Sequence, residues 1–350
     1  MSGHPAEASG LMDRLEMDEA AALGNEIGLD VKTVVAEWIS GEGSLVPDWR
    51  GLAERFLHSA TQALRTVLPA VLLPILAGAL VRALLGSDGR AARFLFRVCC
   101  AGALIGGFSD LARSAQHLTG ALTRCADAFT PPLLTLIALS GGETTAAALS
   151  PYSTVAAELM ETALGKWGAA LSVCAACVAA AGNLSESVRL DQLFNLLRQT
   201  LLWGVAALMT LFLGAMTVQG RLSAARDTAA MRAAHYTVES IVPIIGGSVS
   251  DSLESVLAAC RVVQNAVGIT GLTALVSLCA APVLKAAGMV MALKLSAAAA
   301  EPLGDGAAVS LLNRFAGAAE MLLVTMLAAI LLCGLLLGSC MSVATGGAGG

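Results

Sequence analysis

The chain has 350 residues, of which 56% are apolar, 13% charged and only 4% aromatic. An average soluble domain carries about a quarter charged residues, so this composition excludes a water-soluble globule, and the prevalence of Ala, Leu, Val and Gly suits helices packed against one another in lipid. The net charge of −5 is concentrated at the start: residues 1–66 hold 5 Lys/Arg and 11 Asp/Glu, whereas the remainder is close to neutral. No basic block with interleaved aromatics exists, which excludes a nucleic-acid footprint.

The sequence predicts an all-α, polytopic integral membrane protein with about six to eight transmembrane helices and a short helical N-terminal segment. Two units are expected, an acidic extracytoplasmic segment at 1–66 and a multi-helix transmembrane domain at 67–350. The opening residues lack the basic and apolar regions of a secretory signal, so either there is none or the recorded start lies downstream of one. Val31, Val34, Val35 and Trp38 share one helical face, and Asp48 can cap a following helix. A crossing needs about 20 apolar residues. The clearest candidates are 67–86, 200–218 and 320–345. Shorter, interrupted ones lie at 94–110, 126–141 and 167–182, and 265–301, broken at Pro282, reads as two crossings or one kinked pair. Residues 141–166 are half apolar and carry no clear element. Asn183 and Glu186 form a candidate capping box opening an interfacial amphipathic helix over 183–198.

Arg82, Arg90, Arg93 and Arg97 against Asp88 make the loop after the first crossing the strongest cytoplasmic candidate. The acidic N-terminal segment then lies outside the cytoplasm.

No enzymatic signature is present: the four histidines are scattered, and no nucleophile elbow or phosphate loop occurs. No catalytic, cofactor-binding or metal-binding residue is assigned, and the chain is expected to be no enzyme and to need no cofactor. Seven of the nine cysteines sit in apolar stretches as packing residues. Ionisable groups in or beside apolar runs are candidates for a polar pathway, with snorkelling as the competing reading. They are Asp127, Glu158, Glu161, Lys285 and Lys294. The two lysines are nine residues apart, on opposite faces of an unbroken helix. Gly102-x-x-x-Gly106 and Gly334-x-x-x-Gly338 are close-approach patterns. Residues 221–264 read as two helices joined by an apolar elbow at Pro243, Gly246 and Gly247, the second capped by Asp251 and Glu254. This is either a re-entrant element or a surface hairpin.

These residues also carry a resemblance. Met216-Thr217-Val218-Gln219-Gly220, Ile241-Val242-Pro243-Ile244-Ile245-Gly246, Ser250-Asp251, Asn265-Ala266-Val267-Gly268, Cys279, Pro282, Lys285 and Glu301-Pro302-Leu303 together resemble stage III sporulation protein AE of endospore-forming bacteria. The likeness is closest over 200–345. It implies a multi-pass protein of the mother-cell membrane that engulfs the forespore, a subunit of a channel-like or secretion-like complex. The implied partners are the other stage III A proteins and a forespore membrane partner, beside the lipid bilayer and further copies of the chain. Candidate functional or interface residues are Gln219, Gly220, Pro243, Gly246, Asp251, Glu254, Asn265, Gly268, Pro282, Lys285 and Lys294. The alternative is a self-contained ion- or solute-coupled secondary transporter, which internal repeats and paired broken helices would favour; no repeat is evident.

Overall fold

The computed structural model describes residues 18–27, 30–40, 61, 65, 90–184, 190–241, 246–303 and 306–345; at 26, 27, 39, 40, 90–97, 183, 184, 219–241, 246–256, 303 and 342–345 only the backbone is described. The regular elements among them are helical. Two short helices, α1 (Asp18–Ile27) and α2 (Val31–Ser40), precede α3 (Arg90–Leu139), α4 (Glu143–Glu158), a π-helix (Leu159–Gly168), α5 (Ala169–Leu184), α6 (Asp191–Ile241), α7 (Gly246–Ala300), a 3₁₀ turn (Glu301–Leu303) and α8 (Gly306–Thr345). Among the described residues four stretches are long and apolar enough to cross a membrane: Glu143–Gly182, Asp191–Val218, Leu257–Ala300 and Gly306–Met341. The expected crossing at 67–86, Arg82, Asp88 and the Asp48 cap lie outside the described residues, whereas Arg90, Arg93 and Arg97, expected in a loop, fall in the first turns of α3.

Asp30 starts α2, its Oδ1 accepting the backbone N–H groups of Lys32 at 3.2 Å and Thr33 at 3.3 Å. Val31 and Val35 are buried and Trp38 packs beside them, as the spacing predicts. α3 ends where Gly141 takes φ 88° and Gly142 N–H reaches back to the Ile137 carbonyl at 2.9 Å, a left-handed close that glycine accommodates without strain.

The sequence divided several of these helices. The stretches 94–110 and 126–141 belong to one helix, α3, which continues through Pro131 and Pro132. Residues 141–166 are helical after the turn, and the π-helix joins them to the apolar stretch from 167. α7 likewise runs unbroken through Pro282. Proline costs an isolated helix about 3 kcal/mol, but within a bundle neighbouring helices support the interrupted ladder. From Asp191 onward the stretch expected as an interfacial helix is the opening of α6, continuous with the 200–218 run. α7 begins at Gly246, so Asp251 lies five residues inside and is not its N-cap.

α8 is the central helix. Leu311, Phe315, Leu322, Met326, Leu332 and Leu336 on it are all buried. Its neighbours fix the directions. Phe108 of α3 meets Phe315 edge-on at 6.3 Å, and Cys333 Sγ lies 3.8 Å from the Leu122 carbonyl, so α3 runs parallel to α8. α6 is also parallel, with Asp191 on Arg314 and Arg198 on Glu320. α7 is antiparallel: Gln264 donates to the Cys340 carbonyl at 2.6 Å while Lys294 pairs with Glu320. The α4–π–α5 column is antiparallel too, since Gly168 packs on Thr325 and Gly182 on Arg314. In lipid such contacts rest on van der Waals fit at small residues. A Cβ on Gly165 would stand 2.7 Å from Thr119 Oγ1, and one on Gly168 2.7 Å from Thr325 Cγ2. Gly102 and Gly106, expected to bring helices together, have no neighbour among the described residues within 4 Å of a Cβ position.

Candidate functional site

Two polar features arise from this packing. The first is a cleft of about 650 Å³ between the start of α6, the end of α7 and the start of α8. Glu320 stands in its wall, its Oε1 2.5 Å from Lys294 Nζ and its Oε2 3.2 Å from Arg198. Arg314 forms a second ion pair with Asp191. Three cations thus share two carboxylates, and Asn195, Ser310 and Asn313 add neutral hydrogen-bonding groups to the lining. Of these groups sequence reasoning singled out Lys294 alone. Glu320 carries a readable signal, an acid immediately before the long apolar run of α8; its partnership with Arg198, 122 residues away, has none.

The second feature depends on depth. Charge-free runs follow Arg198 on α6 (199–218), precede Lys285 on α7 (262–284) and follow Glu320 on α8 (321–345). The helix pairings bring these runs alongside one another as one belt, close to the roughly 30 Å of a hydrocarbon core. Trp167 and Trp203 stand exposed near the edge of the belt beside the charged cleft, the level at which indole rings favour a membrane interface. Over α6, α7 and α8 the outer surface of the belt is apolar, with Leu211, Val276 and Leu331 exposed.

The opposite side differs. Because Leu122 lies on Cys333 and Phe129 on Gly271, the adjoining part of α3 lies within the belt, and it carries exposed His117, Arg124 and Asp127. Asp110 and Arg113, one or two turns nearer the cleft, form an exposed ion pair at 3.9 Å. The π-helix adds Glu161, paired with Lys166 at 2.9 Å, both more than half exposed. Glu161 and Glu19 of α1 are within electrostatic reach of Asp127, so α3, the π-helix and α1 share this side. Lys285 joins its rim, donating to Ser114 Oγ of α3 at 3.0 Å.

The structure therefore separates the two lysines as their spacing requires, Lys285 toward α3 and Lys294 toward α8. Pro282 is half-buried within α7, as is Asn265, and Gly268 faces Met341 so closely that a Cβ would stand 2.6 Å from its Sδ. Gln219 and Gly220 fall within α6, Gly246 opens α7, and Asp251 and Glu254 follow in its first turns. Pro243 lies outside the described residues.

A family model for stage III sporulation protein AE matches residues 29–344. Stage III sporulation protein AE of Bacillus subtilis (strain 168) is 30% identical over 186 residues, which cover 53% of this chain and 47% of that relative, so the chain spans about half the length of the curated relative it matches. No solved structure matches the chain. The matched range of the family model takes in every helix from α3 to α7 and nearly all of α8, and with it both polar features: the chain belongs to the stage III sporulation protein AE family.

Proposed function

We propose that this protein is a non-enzymatic, multi-pass subunit of the mother-cell membrane around the forespore. It supplies a transmembrane platform or pore to a channel-like or secretion-like complex with the other stage III A proteins and a forespore membrane partner. The observation that carries this reading is the two-sided belt. Lipid can cover Leu211, Val276 and Leu331, but ionisable groups facing hydrocarbon cost several kcal/mol each, of the order of 3 for an arginine or aspartate at mid-depth. The α3 and π-helix side therefore needs protein or water against it, as a subunit does.

Six crossings, the lower end of the six to eight expected, are then made by α3, the α4–π–α5 column, α6, α7 and α8 together with the apolar run of sequence at 67–86. With Arg82 and the arginines in the first turns of α3 on the cytoplasmic side, the charged cleft faces the cytoplasm too. Residues 1–66 and the elbow between α6 and α7 then face the opposite side. Ile241 lies 23 residues beyond Val218, about 35 Å of helix, so the end of α6 stands clear of the belt.

Purification from sporulating cells in mild detergent tests the reading. It predicts recovery with other stage III A proteins; a lone chain that transports solute in liposomes would replace it with the secondary transporter.

A further inference from the structure

We propose that the cleft between α6, α7 and α8 holds the headgroup of an anionic phospholipid, a site that stands whether the chain serves as platform, pore or transporter. Its floor is one stripe of α8: Gly306, Ser310, Asn313, Gly317 and Glu320 follow at steps of three or four residues. The first turns of α6 form one wall, and Lys294 of α7 completes the inner end. There Arg198 and Lys294 share the single carboxylate of Glu320. Arg314 and Asp191 balance each other, so the lining residues are left with one uncompensated positive charge, and it stands at that inner end. An arginine offers five N–H donors and a lysine three. Both retain donors after pairing with Glu320, and at 45% and 59% exposure their side chains are within reach of a ligand.

Depth selects the anion. α6 carries no charge from 199 to 218 and α8 none from 321 to 345, so the uncompensated charge lies at the boundary of the hydrocarbon, the level of lipid phosphates. Trp203, exposed five residues beyond Arg198, marks the same boundary. Basic pockets between membrane helices at this level bind anionic headgroups. A phosphodiester carries one negative charge, the amount the lining lacks, and a guanidinium matches its oxygens as a fork. Met291, one turn inward from Lys294, is exposed and offers apolar surface to an acyl chain. Asn195, Ser310 and Asn313 in the lining suit headgroup hydroxyls such as those of phosphatidylglycerol. Phosphatidylcholine brings the same phosphate with its charge already balanced, so the cleft discriminates by net charge. A soluble phosphate ester shares the chemistry but has no chain to lay along Met291.

The double variant Asn195→Asp/Asn313→Asp tests this with the shape of the cleft kept. Both residues are exposed in the lining, and the two added carboxylates turn its net charge from positive to negative without removing an ion pair. The full chain, purified in mild detergent, is titrated with mixed micelles of phosphatidylglycerol or phosphatidylcholine while its unfolding temperature is followed, and native mass spectrometry counts the lipid retained. Phosphatidylglycerol should stabilise the parent at concentrations roughly tenfold or more below those phosphatidylcholine needs, and added salt should narrow that gap. The double variant should lose the preference and retain less phosphatidylglycerol than the parent. Ser310→Leu narrows the floor without touching a charge; it should give the same loss and keeps the test valid if the double variant fails to accumulate. Equal stabilisation of the parent by both lipids, or an undiminished preference in the variants that accumulate, overturns the site. Glycerol 3-phosphate alone matching phosphatidylglycerol would assign the cleft to a soluble phosphate ester and overturn the lipid.

Discussion

Lys294 of α7 and Arg198 of α6 meet on one carboxylate, Glu320 of α8, at 2.5 Å and 3.2 Å. Three helices are thereby tied at the edge of the apolar belt, where the carboxylate is one-quarter exposed and both cations are more accessible. Glu320→Gln should lower stability by about 1 kcal/mol, since solvent screening limits such pairs. Thermal unfolding in detergent measures it. In the double variant Glu320→Gln/Lys294→Gln the cost should be less than the sum of the two single costs; simple additivity would show that the pair contributes nothing.

Gly168 lies so close to Thr325 that an added methyl must displace Thr325 Cγ2. Gly168→Ala should cost about 1–3 kcal/mol through overpacking. Thr325→Ser removes the opposing methyl, so Gly168→Ala/Thr325→Ser should regain most of the lost unfolding temperature. No recovery would mean that the glycine serves the π-helix backbone and not the gap.

Gln264 is fully buried, with Nε2 on the Cys340 carbonyl at 2.6 Å and Oε1 without a partner among the described residues. Hydrogen bonds between membrane helices average about 0.6 kcal/mol, and Gln264→Leu also removes an unsatisfied oxygen. The variant should therefore unfold within a few degrees of the parent, well above Gly168→Ala. A larger loss would show that a water completes Oε1 and that the site is a polar node between α7 and α8.

α6 ends at Ile241 and α7 opens at Gly246, the region of the proposed hairpin. Gly246→Val should accumulate normally yet reduce spore yield if the tip contacts partner subunits. Asp251→Ala, beyond the N-cap position, should lose only a few tenths of a kcal/mol of favourable interaction with the helix N-terminus, and it tests the same surface through charge. Normal spore yields from both variants at ordinary protein levels would remove the tip from the functional surface.

The apolar runs of α6 and α8 were legible because their outward or central faces are uncharged over a full crossing. α3 was not: Asp110, Arg113, Arg124 and Asp127 interrupt its apolar pattern, and a hydropathy window assumes lipid on every side. That assumption fails for a helix with one polar face, so one helix read as two short pieces. The π-helix was hidden for a similar reason, with Glu158, Glu161 and Lys166 set among apolar residues. Lys294 was visible as an ionisable group inside an apolar run, while its partner Glu320 could be found only through the fold.

The account stands on α3 crossing the belt beside the apolar helices, and the sidedness of its two ends tests that directly. Single cysteines at Ser87, Ser140 and Ser187, in a background without exposed native thiols, are labelled with an impermeant reagent from each face of the membrane. A crossing α3 predicts that Ser87→Cys and Ser187→Cys react from the cytoplasmic face and Ser140→Cys only from the opposite one. Labelling of Ser87→Cys and Ser140→Cys from the same face would lay α3 along the membrane surface and contradict the polar side of the belt.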